Sequence, residues 1–147
     1  MFTTIRKLSD DMSKLLDQVK RHEGFSGVPY KCTADKTTIG YGRNLESNPL
    51  TKEEATLLLD NDLRMVMYSL RDHKLLDGHN EARNAVIINM AFNLGVTGLL
   101  RFKKTLEYYR NGDYESASRE MLDSKWARQV KGRAIELSKQ MLTGEWQ

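Results

Sequence analysis

A single cysteine in 147 residues, Cys32, leaves no partner for an intramolecular disulfide and too few thiols for a multi-cysteine zinc site. The three histidines, His22, His73 and His79, have no metal-ligand spacing to acidic partners, so a metal-dependent reaction is not expected. Proline is scarce too: only Pro29 and Pro49 occur, and helices can run long between them. No apolar run approaches the ~18–20 residues that span a bilayer. The opening MFTTIRKLSDDMSKLL lacks the apolar heart of a secretory signal, so the expected compartment of synthesis is a cytoplasm. Strong charge of one sign is absent: the net charge is +3. That excess sits in residues 96–147, with 10 Lys+Arg against 7 Asp+Glu, while residues 1–95 carry 13 of each. A mildly basic surface favours encounter with anionic polymers. No nucleic-acid motif or aromatic-rich basic strand accompanies it, so nucleic acid is not an expected partner.

What is present is ordinary for a globular chain, 39% hydrophobic and 29% charged. The length suits one compact unit or two small lobes sharing a helix. Ser9 is a candidate N-cap for a first helix, with Asp10 and Asp11 at its positive end and Met12, Leu15, Leu16 and Val19 as its apolar stripe. Lys20, Arg21 and His22 suit its C-terminal end, and Gly24 stops it. Helical periodicity then lapses up to Pro49. Thr37–Ile39 and Tyr41 suit short strands, with a turn at Ala34-Asp35-Lys36. Thr51 and Glu54 frame a capping box for a long helix whose stripe runs from Ala55 to Leu70. Such a helix can bridge two lobes and serve as a hinge. Asn80 caps a segment ending at Gly95 that is apolar on nearly every side, the mark of a bundle centre. Amphipathic segments follow at Leu99–Arg110, Tyr114–Asp123, Lys125–Gln129 and Gly132–Leu142. The expected fold is α+β, mainly α. Residues 1–22 form an N-terminal helix on the helical lobe, 23–50 a small β lobe, 51–72 the connecting helix and 73–147 the helical lobe.

The chemistry gathers between Glu23 and Leu45. A glutamate closing a helix and facing a hairpin is rigidly held and well placed for acid–base work. Taken alone, the commoner fate of such a glutamate is an exposed helix end, that of a lone cysteine a small buried hydrophobe, and that of Thr38 a strand former. The spacing changes the reading: Glu23, Cys32 and Thr38 form E-x8-C-x5-T, followed by Ile39-Gly40-Tyr41-Gly42. This pattern resembles the phage lysozymes of the T-even type, whose triad is Glu, then Asp or Cys, then Thr. The resemblance recurs downstream. Ile88-Asn89-Met90-Ala91-Phe92-Asn93-Leu94-Gly95 is similar to the family's core-helix motif, followed by Thr97-Gly98 and Phe102. Ser124-Lys125-Trp126, Arg133-Ala134 and Gly144-Glu145-Trp146 match further pairs, so the likeness covers roughly residues 12–147.

The resemblance implies a lysozyme-like fold and a muramidase acting on bacterial peptidoglycan, with no cofactor. It implies Glu23 as the acid, Cys32 as base or nucleophile, and Thr38 as the group that places water. Cys32 can activate water, giving inversion, or attack the sugar, giving retention, and Lys31 would favour its thiolate if it points inward. Asn44, Phe92, Thr105 and Glu120 are the implied sugar contacts, although Asn44 stands where the family has leucine and Glu120 where it has asparagine. Tyr30, Asn93 and Phe102 are further candidates for the cleft, Trp126 for the core beneath it. Arg133 is expected to approach Glu23. Arg43 replaces a histidine whose family partner aligns with Asp62, so an Arg43–Asp62 ion pair is expected. The implied setting is a monomeric endolysin held in the host cytoplasm, reaching the wall after a holin opens the membrane. Two alternatives stay open: a lysozyme-fold protein that binds peptidoglycan without cutting it, and a cysteine amidase or peptidase built on Cys32.

Overall fold

The computed structural model describes residues 9–147, so the extension at residues 1–8 and the capping side chain of Ser9 lie outside the description. The chain divides into two compact units, one ending at Ala55 and the other spanning Thr56–Gln147.

In the first unit, α1 (Ser9–Glu23) is stopped by Gly24, whose N–H donates to the Lys20 carbonyl at 3.0 Å and whose φ is 72°. Three antiparallel strands follow in the order β1 (Ser26–Lys31), β2 (Thr37–Gly40) and β3 (Arg43–Asn44). Ser26 pairs with Gly40 and Tyr30 with Thr38, so β1 carries a bulge between them. Across the next ladder Thr38 faces Asn44 and Ile39 faces Arg43. The β1–β2 turn forms as expected, with Asp35 at φ 58°. Tyr41, expected in a strand, lies instead in the turn before β3, because Gly40 and Gly42 both take positive φ and bend the chain there.

The helix α2 (Lys52–Arg71) begins with the capping box. The Glu54 N–H donates to the Thr51 hydroxyl at 3.1 Å, and the Thr51 N–H donates back to the Glu54 carboxylate at 2.9 Å. The same carboxylate takes the Arg43 guanidinium, so the expected Arg43–Asp62 pair is replaced by Arg43–Glu54. Arg43 also donates to the carbonyls of Asn48 and Pro49, which holds it over the loop at the start of α2. Asp62 lies eight residues further on, about 12 Å along the helix.

The second unit packs α3 (Glu81–Leu94), α4 (Val96–Leu100), α5 (Lys103–Arg110), α6 (Tyr114–Leu122), α7 (Lys125–Val130) and α8 (Gly132–Thr143) around one core. Val86, Ile87, Met90 and Ala91 of α3 meet Leu99, Leu106, Tyr109, Met121, Trp126, Leu137 and Met141 there. Full burial of each large aliphatic side chain contributes about 1.5–3 kcal/mol. The expected single helix over Leu99–Arg110 is broken: the chain turns at Phe102 (ψ 57°), whose ring meets Trp126 edge-on at 6.1 Å.

Caps chosen by the sequence hold these helices. Asn80 accepts from the Arg83 N–H at 2.9 Å, and Asp113 and Ser124 cap α6 and α7 in the same way. Asn80 also donates to the Gly144 carbonyl, while Arg83 donates to the carbonyls of Met141 and Leu142, so a cation closes the C-terminal end of α8. Gly144 (φ 70°) is required there, since a Cβ would stand 2.8 Å from the Arg83 guanidinium. That guanidinium lies 3.7 Å over the Tyr114 ring, and the Tyr114 hydroxyl is 2.7 Å from His79 Nδ1. Burial first, and Arg83 second, hold the His79 pKa below its ordinary value.

Candidate active site

Glu23 is the last residue of α1, and its carboxyl is exposed. It lines an open pocket of about 340 Å³ with Gly24, Phe25, Ser26 and Tyr30. Beneath it the backbone of Gly42 approaches so closely that a Cβ there would lie 2.6 Å from Glu23 Oε2. Tyr30, on the pocket wall, pairs across the sheet with Thr38, which links the pocket to the turn that bears Cys32.

Cys32 opens that turn. Its N–H donates to the Lys36 carbonyl at 3.0 Å, and its carbonyl accepts from Asp35 N–H at 2.8 Å. The sulfur is partly exposed and lies where turn N–H groups converge. Donation from the backbone of Lys36, and next from Ala34, holds the thiol pKa below its ordinary value against a smaller opposing effect of burial. The nearby Thr38 hydroxyl lowers the thiol pKa to a lesser degree. That hydroxyl donates its one proton to the Lys36 carbonyl at 2.9 Å. Thr38 is only 3% exposed, so the hydroxyl is fixed by packing. Lys31 does not assist the thiol. Its ammonium donates to the Thr37 hydroxyl at 3.0 Å and pairs with Glu46 at 3.6 Å. Glu46 gathers Lys31, Lys36 and the Thr37 N–H, pinning the turn to the loop after β3.

The expected sugar contacts fall in several places. Thr105 and Glu120 come together in the second unit, lining an open pocket of about 450 Å³ with Phe102, Arg101, Lys103, Lys104, Asp123 and Ser124. The Asn44 side chain is engaged in its own turn, accepting from the N–H groups of Glu46 and Ser47. Phe92 is 41% exposed rather than core, whereas Trp126 is buried and donates to Asn93 at 2.7 Å. The Arg133 guanidinium is bound by the Asn89 side chain at 2.6 and 3.0 Å. Sequence reasoning missed Glu46, which belongs to no motif. It also missed the four charged residues around Thr105 and Glu120, of which the run Arg101-Phe102-Lys103-Lys104 was the visible signal.

The pocket that holds Glu23 and the turn that bears Cys32 lie in one small unit, and the chain that carries them is a glycoside hydrolase of lysozyme type. The pattern of the phage lysozyme family matches residues 20–140, and the chain belongs to that family. A probable T4-type lysozyme from Dictyostelium discoideum is 26% identical, over 90% of this chain and 96% of its own. An endolysin of Acyrthosiphon pisum secondary endosymbiont phage 1 is 29% identical, over 81% of this chain and 82% of its own. The pre-baseplate central spike protein Gp5 of Enterobacteria phage T4 is 36% identical over 70% of this chain, which spans only 19% of that larger protein. Among the described residues no helix is long and apolar enough to cross a membrane.

Proposed function

We propose that this lysozyme is a phage endolysin, a muramidase that hydrolyses the β-1,4 bond between N-acetylmuramic acid and N-acetylglucosamine in bacterial peptidoglycan. What carries the reading is the phage lysozyme match over residues 20–140, with the Glu23 pocket and the Cys32–Thr38 turn in the same small unit. Protonated Glu23 gives its proton to the glycosidic oxygen as the C1–O bond breaks. The Cys32 thiolate takes a proton from a water whose oxygen attacks C1 from the opposite face, and the Thr38 hydroxyl helps orient that water. Glu23 is left as carboxylate and Cys32 as thiol, both reset by solvent, and the anomeric centre is inverted. Thr105 and Glu120 hold sugar units in the pocket of the helical unit, Asn44 contributes backbone, and the exposed Phe92 ring offers an apolar face. The whole chain works as one monomeric lysozyme domain, stored in the host cytoplasm and admitted to the wall by a holin.

The test is reducing-end release from purified Gram-negative peptidoglycan by wild type, Glu23→Gln, Cys32→Ser and Cys32→Asp. Glu23→Gln is expected to lose at least about 10²-fold. Cys32→Ser is expected to fall comparably, while Cys32→Asp keeps most activity, because either a thiolate or a carboxylate can take the proton. Inversion is read from the first-formed anomer by NMR. Release of amino groups that survives Glu23→Gln would discard the muramidase reading in favour of an amidase, and binding without new reducing ends would leave a non-hydrolytic protein. Lysis from within cells that keep an intact inner membrane and contain no holin would remove the dependence on membrane opening.

A further inference from the structure

Two glycines in left-handed backbone flank Tyr41 where β2 bends into β3, Gly40 at the end of β2 (φ 68°) and Gly42 just before β3 (φ 79°), and they differ in one respect. A Cβ added at Gly40 meets nothing within 4 Å. A Cβ added at Gly42 meets Glu23 Oε2 at 2.6 Å, Cδ at 3.1 Å and Cγ at 3.5 Å. Gly40 therefore serves the bend alone, whereas Gly42 serves the bend and also leaves room for a carboxyl. Tyr41, between them, anchors the turn to the end of α1: its ring packs 5.4 Å from that of Phe25, and the Lys20 ammonium lies 5.5 Å from its centroid. The anchor fixes where the bare backbone of Gly42 sits, and α1 fixes where Glu23 starts.

We infer that Gly42 is a positioning residue for the reaction: its missing side chain lets the Glu23 carboxyl lie against the hairpin, and any Cβ there displaces the carboxyl from its working place. Glu23 is exposed and its carboxyl is the mobile end of a flexible chain, so the collision is relieved by rotation of the side chain rather than by unfolding. The consequence is catalytic rather than structural. A displacement of about 1 Å at a reacting group can lower rate by on the order of 10²-fold.

The inference rests on Glu23 being the catalytic acid, and the experiment separates the two ideas. Gly42→Ala, Gly40→Ala and Glu23→Gln are compared with wild type in kcat and KM on soluble peptidoglycan fragments and in thermal midpoint. Both glycine variants pay the left-handed backbone cost and are expected to lose similar thermal stability. Gly42→Ala is expected to lose roughly 10–100-fold in kcat with KM little changed, and Gly40→Ala less than about threefold. Should Gly42→Ala fail to fold, Gly42→Asn replaces it, since asparagine tolerates positive φ while still placing a Cβ against the carboxyl. Equal kcat losses at the two glycines, or a Gly42 variant within about threefold of wild type, overturns the positioning role while an inactive Glu23→Gln leaves Glu23 as the acid. An active Glu23→Gln overturns the catalytic reading itself, and the positioning role with it.

Discussion

Cys32 is a thiol in an aspartate-like setting. Backbone N–H groups that would cap a turn carboxylate donate to its sulfur, from Lys36 most strongly and from Ala34 next, and favour the ionised form. An ordinary thiol titrates near 8.5, so at neutral pH only a few per cent is thiolate. The rate of alkylation by iodoacetamide, followed against pH in the native protein, should therefore reach half its plateau below the midpoint found in urea. Replacing Thr38 with valine should move the native midpoint part of the way back, because one of the lesser contributions to the lowered pKa is lost. Linkage gives the sign for stability. The folded pKa lies below the unfolded one, so the thiolate stabilises the fold fully above the unfolded value, and that contribution disappears as pH falls through the folded value. Coincident native and denatured alkylation midpoints would mean that the turn does not favour the thiolate.

At the scale of elements, one carboxylate couples the small sheet to the long helix. Glu54 caps the first turn of α2 with one oxygen and takes the Arg43 guanidinium with the other, and both contacts lower its pKa, Arg43 first. Thr51→Ala should cost about 1 kcal/mol, as loss of an N-cap does. Glu54→Gln keeps an acceptor for the Thr51 N–H but loses the charge, so its thermal midpoint should fall less than that of Glu54→Ala. Equal falls would show that the charge on Glu54, rather than its capping geometry, sets the stability of this junction. The cap itself was legible in the sequence because it is local: Thr51 and Glu54 are three residues apart, as are the partners at Asn80, Asp113 and Ser124. The partner of Arg43 was not, since it depends on how the loop from Asn44 to Pro49 folds back, and an alignment with Asp62 contains no information about that loop. The break at Phe102 was missed for a related reason. Its segment is amphipathic throughout, and only the tertiary contact with Trp126 explains the turn. The spacing of Glu23, Cys32 and Thr38 is a property of the sequence, whereas Gly42's approach to Glu23 is a through-space contact that the motif did not reveal.

Across the whole molecule, burial is distributed unequally. Among the described residues, every member of the hydrophobic core lies between Leu70 and Met141, and among residues 10–55 only Thr38 is buried. Within its own unit the small sheet is held by its ladders, by the part-buried Arg43–Glu54 pair and by the Glu46 ion pairs, which are exposed to water and individually weak. Two or three short strands do not stand alone in water. Native-state hydrogen exchange should accordingly resolve two levels of protection. Core amides of α3, α6 and α8 should exchange only through global unfolding, with a denaturant dependence equal to that of the full transition. Amides of β1 and β2 should exchange through smaller openings with a shallower dependence, and added salt should lower their protection more than that of the helices. The catalytic groups proposed for this lysozyme sit in the part predicted to open first. A saturating glycan fragment should then raise protection in β1 and β2 beyond any change in α3, by mass action on the folded form of the small unit. A single protection level shared by strands and core helices would instead mean that the sheet opens only with the helical core.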